Sequence, residues 1–258
     1  MPAPGNRDYL QFAVAIAREA GTVTRRYFQT DLRVERKADQ SPVTVADREA
    51  ERLLRDRIAA RFPDHAMVGE ELGSSAAPAS HRWILDPIDG TQSFIQGVPL
   101  YGVLVGLEIE GAMRVGVAYF PALDDLVAAA AGEGCWWNDR RARVSTVRRL
   151  EDATLVYTAL DDLRRYRDAS WQRLQAATRT QRGWGDCYGH CLVATGRAEI
   201  AVDPIMNIWD CAALLPILEE AGGTFTDWQG QPGVDHGHAI STNGALLEDV
   251  LRVIEEGG

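Results

Sequence analysis

Cysteine, long apolar runs and positive charge are all scarce in this chain, and each scarcity excludes something. Four cysteines (Cys135, Cys187, Cys191, Cys211) in 258 residues are too few and too scattered for a disulfide scaffold. Cys187 and Cys191 are spaced to share a helix face as metal ligands, but no second pair has zinc-site spacing, so buried free thiols are expected. No segment approaches the roughly 20 apolar residues of a membrane span. The opening MPAPGNRDY lacks the basic and apolar stretches of a signal peptide. A cytoplasmic protein with no membrane partner is therefore expected. The formal net charge of −10 argues against nucleic acid as a partner, because that requires a basic surface to displace phosphate counterions.

What is present is ordinary globular material. The apolar fraction is 46% and the charged fraction 25%, enough for one large α/β domain or two closely packed layers sharing a core. Apolar residues at helical period predict a helix over Leu10–Phe28. A second helix is predicted from Thr44 or Val45 to Phe62, stopped by Pro63, with Asp47 in its first turn. Arg33–Pro42 reads as a loop or irregular strand pair, and Gly73–Ser80 as a loop. Trp83-Ile84-Leu85 reads as a buried strand ending at Asp86. The runs Tyr101–Ile109 and Met113–Phe120 flank Glu110-Gly111, a hairpin signal, and Leu126–Ala131 with Cys135–Trp137 suggests another. The second half alternates: strands at Thr154–Thr158, Ala198–Val202, Thr224–Asp227 and Ala239–Ser241, and helices at Ala169–Thr178, Cys187–Thr195, Trp209–Ala221 and Leu246–Ile254. Pro216 should kink the third of those helices.

The chemistry concentrates in Asp86-Pro87-Ile88-Asp89-Gly90-Thr91. Two carboxylates converging where an apolar strand stops repel one another unless a cation lies between them. Hard oxygen donors suit Mg²⁺, which can activate water and stabilise a leaving oxygen. Gly90 and Thr91 would offer backbone N–H groups to a phosphate at a helix or turn start. Glu70 with Glu71, Asp47 and Asp210 each look unremarkable alone, as an acidic turn or as acids at helix starts.

Taken in order, SPVTVADREAE, VGEELG, WILDPIDGTQSFIQGVP, LVATGRAE and IWDCAALLPILEEAGG closely resemble the inositol monophosphatase family of Mg²⁺-dependent, Li⁺-sensitive phosphatases. The resemblance runs from about Lys37 to Gly223. It implies a five-layer α/β/α/β/α sandwich, usually dimeric, as one unit across residues 1–258, with a metal-binding half to about 145 and a second half from about 146. It also implies that Glu70, Asp86 and the Ile88 carbonyl hold one metal. Asp86, Asp89 and Asp210 would hold a second, and Glu70 with waters a weaker third. Gly90 and Thr91 would bind phosphate. Asp47 would accept a hydrogen bond from Thr91, which polarises the attacking water, and no phosphoenzyme is expected.

Arg182-Gly183-Trp184-Gly185-Asp186-Cys187-Tyr188-Gly189-His190 looks like the histidinol-phosphate phosphatase branch of the family. Histidinol phosphate carries an ammonium and an imidazole, which carboxylates at Asp186 and Asp203 could pair with. Asp186 has a second reading as the N-cap of the helix beginning at Cys187, and Asp203 would equally suit a polyol such as inositol. Gln92-Ser93 departs from the Lys-Asn or Thr-Asn pair common in the family and removes a positive charge near the phosphate. His190 is expected to be packed or hydrogen-bonded, and Trp136, Trp137, Trp184 and Trp228 to serve packing. The alternatives to a histidinol-phosphate monoesterase are an inositol-phosphate monoesterase and a silent phosphate-ligand binder on the same fold.

Overall fold

The computed structural model describes residues 4–38, 40–75 and 79–255. The first helix, α1 (Asn6–Tyr27), buries Tyr9, Ala13, Ile16, Ala17, Ala20 and Val23 along one face. A two-stranded ribbon of β1 (Glu35–Arg36) and β2 (Pro42–Val43) leads into α2 (Val45–Arg61). The start of α2 is set locally. The Thr44 hydroxyl accepts the Ala46 N–H at 3.1 Å and the Asp47 carboxylate accepts the Thr44 N–H at 2.8 Å, satisfying donors that the helix leaves open.

Eight strands form the larger sheet: β3 (Ala66–Gly69), β4 (Gly73–Ser74), β5 (His81–Asp89), β6 (Gly102–Ile109), β7 (Ala112–Phe120), β8 (Asp125–Ala130), β9 (Gly134–Trp137) and β10 (Arg140–Arg141). Their order is β10-β9-β8-β7-β6-β5-β3-β4, and only β3 and β5 pair in parallel. The short helix α3 (Thr91–Ile95) follows β5. The β6–β7 turn has positive φ at both Glu110 and Gly111 (52° and 80°), the backbone twist that suits a two-residue hairpin.

The smaller sheet has the order β12-β11-β13-β15-β14. Its strands are β11 (Thr154–Tyr157), β12 (Thr180–Arg182), β13 (Ile200–Asp203), β14 (Thr224–Thr226) and β15 (Ala239–Thr242). The helices of this half are α4 (Leu160–Ala177), α5 (Asp186–Ala194), α6 (Ile208–Cys211), α7 (Leu214–Ala221) and α8 (Leu247–Glu255). Three of the four apolar clusters hold the five layers together. One joins α1 and α2 to the larger sheet through Ile16, Leu54, Trp83 and Val117. A second joins that sheet to the smaller one through α5 and α7, with Phe120, Cys191, Leu214, Leu218, Ala201 and Phe225. The third packs α4 and α8 on the outer face with Leu155, Trp171, Leu174 and Val250. The expected α/β/α/β/α sandwich is thus the observed fold.

Several elements differ from expectation. The strand expected over Trp83–Leu85 runs on to Asp89. Helix α4 starts at Leu160 rather than Ala169, because a non-helical Arg167 (φ −143°, ψ 29°) separates two segments and the first is mostly charged. The polar edge strand β12 has no apolar alternation to announce it. The helix expected over Trp209–Ala221 is two, α6 and α7, because Pro216 has no N–H for the Ala212 carbonyl and the ladder breaks there. Part of the loop expected over Gly73–Ser80 is β4, and residues 76–78 lie outside the described residues. All four cysteines are free and buried. Trp228 is buried, whereas Trp136 and Trp184 stand 41% and 44% exposed. Among the described residues no helix is long and apolar enough to cross a membrane.

Candidate metal centre

In an unbroken strand, residues three apart face opposite sides of the sheet. Asp86 and Asp89 escape this because β5 is irregular between them. Asp86 pairs with Leu104 and Asp89 with Gly102, so three steps on β5 match two on β6. The extra residue is a bulge, and Pro87 within it has no N–H to lose from the ladder. The Asp86 carboxylate accepts the Ile88 N–H at 2.9 Å.

Asp210 arrives from the second half of the chain. It lies in the first turn of α6, where its carboxylate accepts the Asn207 N–H at 2.6 Å. The α6–α7 junction can settle onto the larger sheet because its floor is two cross-strand glycines, Gly106 and Gly116. A Cβ at Gly116 would lie 2.0 Å from the Ala213 carbonyl oxygen, and one at Gly106 2.9 Å from the Ala213-adjacent Ala212 Cβ. With the helix seated this close, oxygens of Asp86, Asp89 and Asp210 all lie within 4.8 Å of one another.

Glu70 stands at the end of β3 beside this group, its N–H bonded to the Leu85 carbonyl at 3.2 Å. Its carboxylate accepts from Lys37 Nζ at 2.6 Å, and the same ammonium lies 2.5 Å from Glu71 Oε1. Lys37 was visible in the sequence only as the edge of a motif. Burial works against its charge, but its hydrogen bonds to the Glu70 and Glu71 carboxylates more than offset this and raise its pKa. The Thr91 hydroxyl donates to the Ile88 carbonyl at 3.0 Å rather than to Asp47 as expected. Asp47 is fully buried; one of its oxygens serves Thr44 while Oδ1 has no hydrogen-bond partner among the described residues.

The electrostatics follow from burial and crowding. Burial, then the charges of Glu70, Asp89 and Asp210, push Asp86 well above the usual carboxylate range. Asp89 is raised by burial and by Asp186 and Asp210. Asp210 rises to about 7, mainly through burial, against the Asn207 bond. Asp47 rises to about 6, again through burial. Such a set is costly to ionise without a cation, and its all-oxygen donors suit a hard divalent ion.

On the other side lie the two expected substrate carboxylates. Asp186 is not the N-cap of α5. Gly185 holds that position, and Asp186 is the first helical residue, with φ of 52°. Its carboxylate faces the metal-site turn, since a Cβ at Gly90 would come within 3.0 Å of Asp186 Oδ2. Burial, then Asp203 and Asp210, raise it to about 7. Asp203 is buried at the end of β13. Thr158, expected only as the end of a strand, joins the two: its hydroxyl accepts the Asp186 N–H at 2.8 Å and donates to Asp203. His190 is buried as expected, with Nδ1 2.7 Å from Ser241 Oγ and Nε2 3.8 Å from Asp203. Cys187, the residue after Asp186 in α5, donates its N–H to Asp89 at 2.5 Å, which ties the two groups of acids together.

Comparison with known proteins gives this arrangement a class. A model of the Inositol monophosphatase family matches residues 6–257. The chain is 46% identical to the histidinol-phosphatase of Chlorobaculum parvum over 253 residues, covering 96% of this chain and 97% of that protein. It is 38% identical to the histidinol-phosphatase of Mycobacterium tuberculosis, with 98% and 100% covered. The solved structure of the extragenic suppressor protein suhB from Bartonella henselae superposes with a TM-score of 0.91 at 29% identity, covering 97% of this chain and 99% of that one. The protein is a phosphoric monoester hydrolase, of a class that is generally metal-dependent and acts on small phosphate esters. The chain belongs to the inositol monophosphatase family.

Proposed function

We propose that this enzyme is a Mg²⁺-dependent phosphatase that hydrolyses histidinol phosphate to histidinol. The observation that carries the substrate is the Asp186 carboxylate directed at the Gly90 turn, with the Asp186 backbone N–H donating to the Thr158 hydroxyl, which in turn donates to the Asp203 carboxylate. Two carboxylates beside the phosphate position suit a substrate whose non-phosphate end bears an ammonium and an imidazole. The similarity to two histidinol-phosphatases supports the same reading.

Glu70, Asp86, the Ile88 carbonyl, Asp89 and Asp210 are the residues that would hold the metal. Bound there, Mg²⁺ supplies charge neutralisation for the phosphate oxygens and acidifies the attacking water. Gly90 and Thr91 orient the phosphate from the turn after β5. Asp47 Oδ1, buried without a partner, is the acceptor left open for the Thr91 hydroxyl. The reading needs no cysteine nucleophile, and burial raises all four thiol pKa values, which disfavours the reactive thiolate; trapping of a labelled phosphoenzyme during turnover would contradict direct attack by water. A homodimer belongs to the same reading, and light scattering tests it.

The test is a parallel assay on histidinol phosphate, inositol 1-phosphate and 3′-phosphoadenosine 5′-phosphate with and without Mg²⁺. Histidinol phosphate should give the highest kcat/KM, and chelation should abolish it. Asp186→Ala should lower kcat/KM for histidinol phosphate by about 10- to 100-fold relative to the inositol ester, the scale of a lost charge-assisted hydrogen bond. An unchanged ratio would sink the substrate assignment. No hydrolysis of any ester would favour a silent ligand binder.

A further inference from the structure

Glu51 lies one helical turn beyond Asp47 on α2, so both face inward, and both are fully buried. Its carboxylate does not join the acids of the metal centre. It grips the turn that carries Glu70. Oε2 accepts the Glu71 N–H at 2.7 Å, and Oε1 accepts the Leu72 N–H at 3.2 Å. The Arg55 guanidinium, one turn further on, donates to Oε1 at 2.7 Å and also to the Gly73 carbonyl. The side chain fits only because residue 69 has none: a Cβ at Gly69 would lie 2.0 Å from Glu51 Oε1. On its other side the turn is tied to β5 by the Glu70 N–H to Leu85 carbonyl bond. The backbone from Glu70 to Gly73 is thereby held at four successive residues, one by the strand bearing Asp86 and three by a single ion pair on α2.

From this we infer that Glu51, supported by Arg55, is a positioning residue for the metal centre, setting the Glu70 carboxylate against Asp86. The inference rests on the metal-binding reading proposed above. A carboxylate ligand on a free turn must be ordered each time a cation binds; one on a clamped turn is already in place. Groups that orient metal ligands from behind typically change metal affinity by about 10- to 100-fold when altered. A buried ion pair that served the fold alone would instead lower the unfolding temperature and leave the affinity of the folded protein untouched.

Mg²⁺ binding to the full-length, substrate-free protein by titration calorimetry separates these cases, with unfolding temperature measured in parallel. Glu51→Gln keeps the side chain's size but can accept fewer N–H bonds and loses the Arg55 charge pair. It should raise the Mg²⁺ dissociation constant about 10- to 100-fold, and shift the Mg²⁺ dependence of turnover by the same factor. KM for substrate at saturating Mg²⁺ should stay close to the parent value. Arg55→Lys, which keeps the charge but cannot reach both Glu51 and the Gly73 carbonyl as a fork, should give a smaller shift in the same direction and serves where Glu51→Gln does not fold. Folded variants that bind Mg²⁺ as the parent does would overturn the positioning role alone. A parent protein that binds no Mg²⁺ would overturn the metal reading with it.

Discussion

Near its start β5 carries Trp83, and three residues later Asp86; both side chains are buried, and their surroundings treat polarity in opposite ways. The Trp83 indole N–H donates to His65 Nδ1 at 3.0 Å, and the His65 ring stacks between Phe62 at 4.7 Å and His81 at 4.4 Å. The buried indole N–H thus has an internal partner, and burial with the neighbouring His81 holds His65 down to about 4. At the far end Asp86, Asp89 and Asp210 face one another, none of them ion-paired to a cationic side chain among the described residues, and Lys37 engages Glu70 and Glu71 at the rim. One end of the strand satisfies itself and stabilises the sheet. The other holds charge that only something from outside the chain can neutralise, which is the mark of a binding centre.

The comparison can be broken in four ways. The largest effect is expected at the acid end: Asp86→Asn should lower kcat by more than about 100-fold, the scale of losing one charge-stabilising group. Because it also removes a repelling charge, the metal-free variant should unfold at the same temperature as the parent or higher. A clear fall in that temperature would show that Asp86 stabilises the fold, and the contrast would collapse. At the aromatic end, Trp83→Ala should cost about 3–5 kcal/mol of stability by urea unfolding, as emptying a large buried site does. Its kcat per folded molecule should not change. Gly116→Ala tests the seat of Asp210; forcing a methyl against the Ala213 carbonyl should cost about 1–3 kcal/mol and also weaken Mg²⁺ binding in calorimetry.

The smallest effect is on pH dependence. The folded value of His65, about 4, lies below its ordinary 6.5, so protonation favours the unfolded chain. Its contribution is fully present above pH 6.5 and is lost as pH falls towards 4. Urea midpoints of the parent should decline through that window, and His65→Phe should reduce the decline. An identical pH profile in the two proteins would remove His65 from the account.

Much of this was legible because it depends on neighbours in the chain. The start of α2 needs only Thr44 and Asp47, three residues apart. The β6–β7 hairpin needs only Glu110-Gly111 to adopt positive φ. The hexapeptide Asp86–Thr91 and the acids at 47, 70 and 210 were recognisable as a set, and the structure brings Asp86, Asp89 and Asp210 together. Less legible were groups whose role is to receive something from elsewhere. Lys37 sits in a stretch without a strong pattern, Thr158 follows an ordinary strand, and Glu51 is the last residue of the SPVTVADREAE stretch, with nothing beside it in sequence to mark a role. The reading of Asp186 stayed divided because N-cap and site carboxylate have the same local signature; its positive φ and its approach to Gly90 separate them.

By itself the sequence determined most of the helices and apolar strands, several of the turns and which acids are available, since hydrogen-bonded caps, turns and apolar periods act over a few residues. Only the tertiary structure decided how those acids meet. Asp86 and Asp89 share a side because a bulge against β6 adds one residue, and Asp210 reaches them because Gly106 and Gly116 let a helix from the other half of the chain settle onto the sheet. The Asp47 oxygen left without a hydrogen-bond partner among the described residues is likewise a product of packing. Register and close approach are properties of pairs of distant segments, and no window of the chain contains both members.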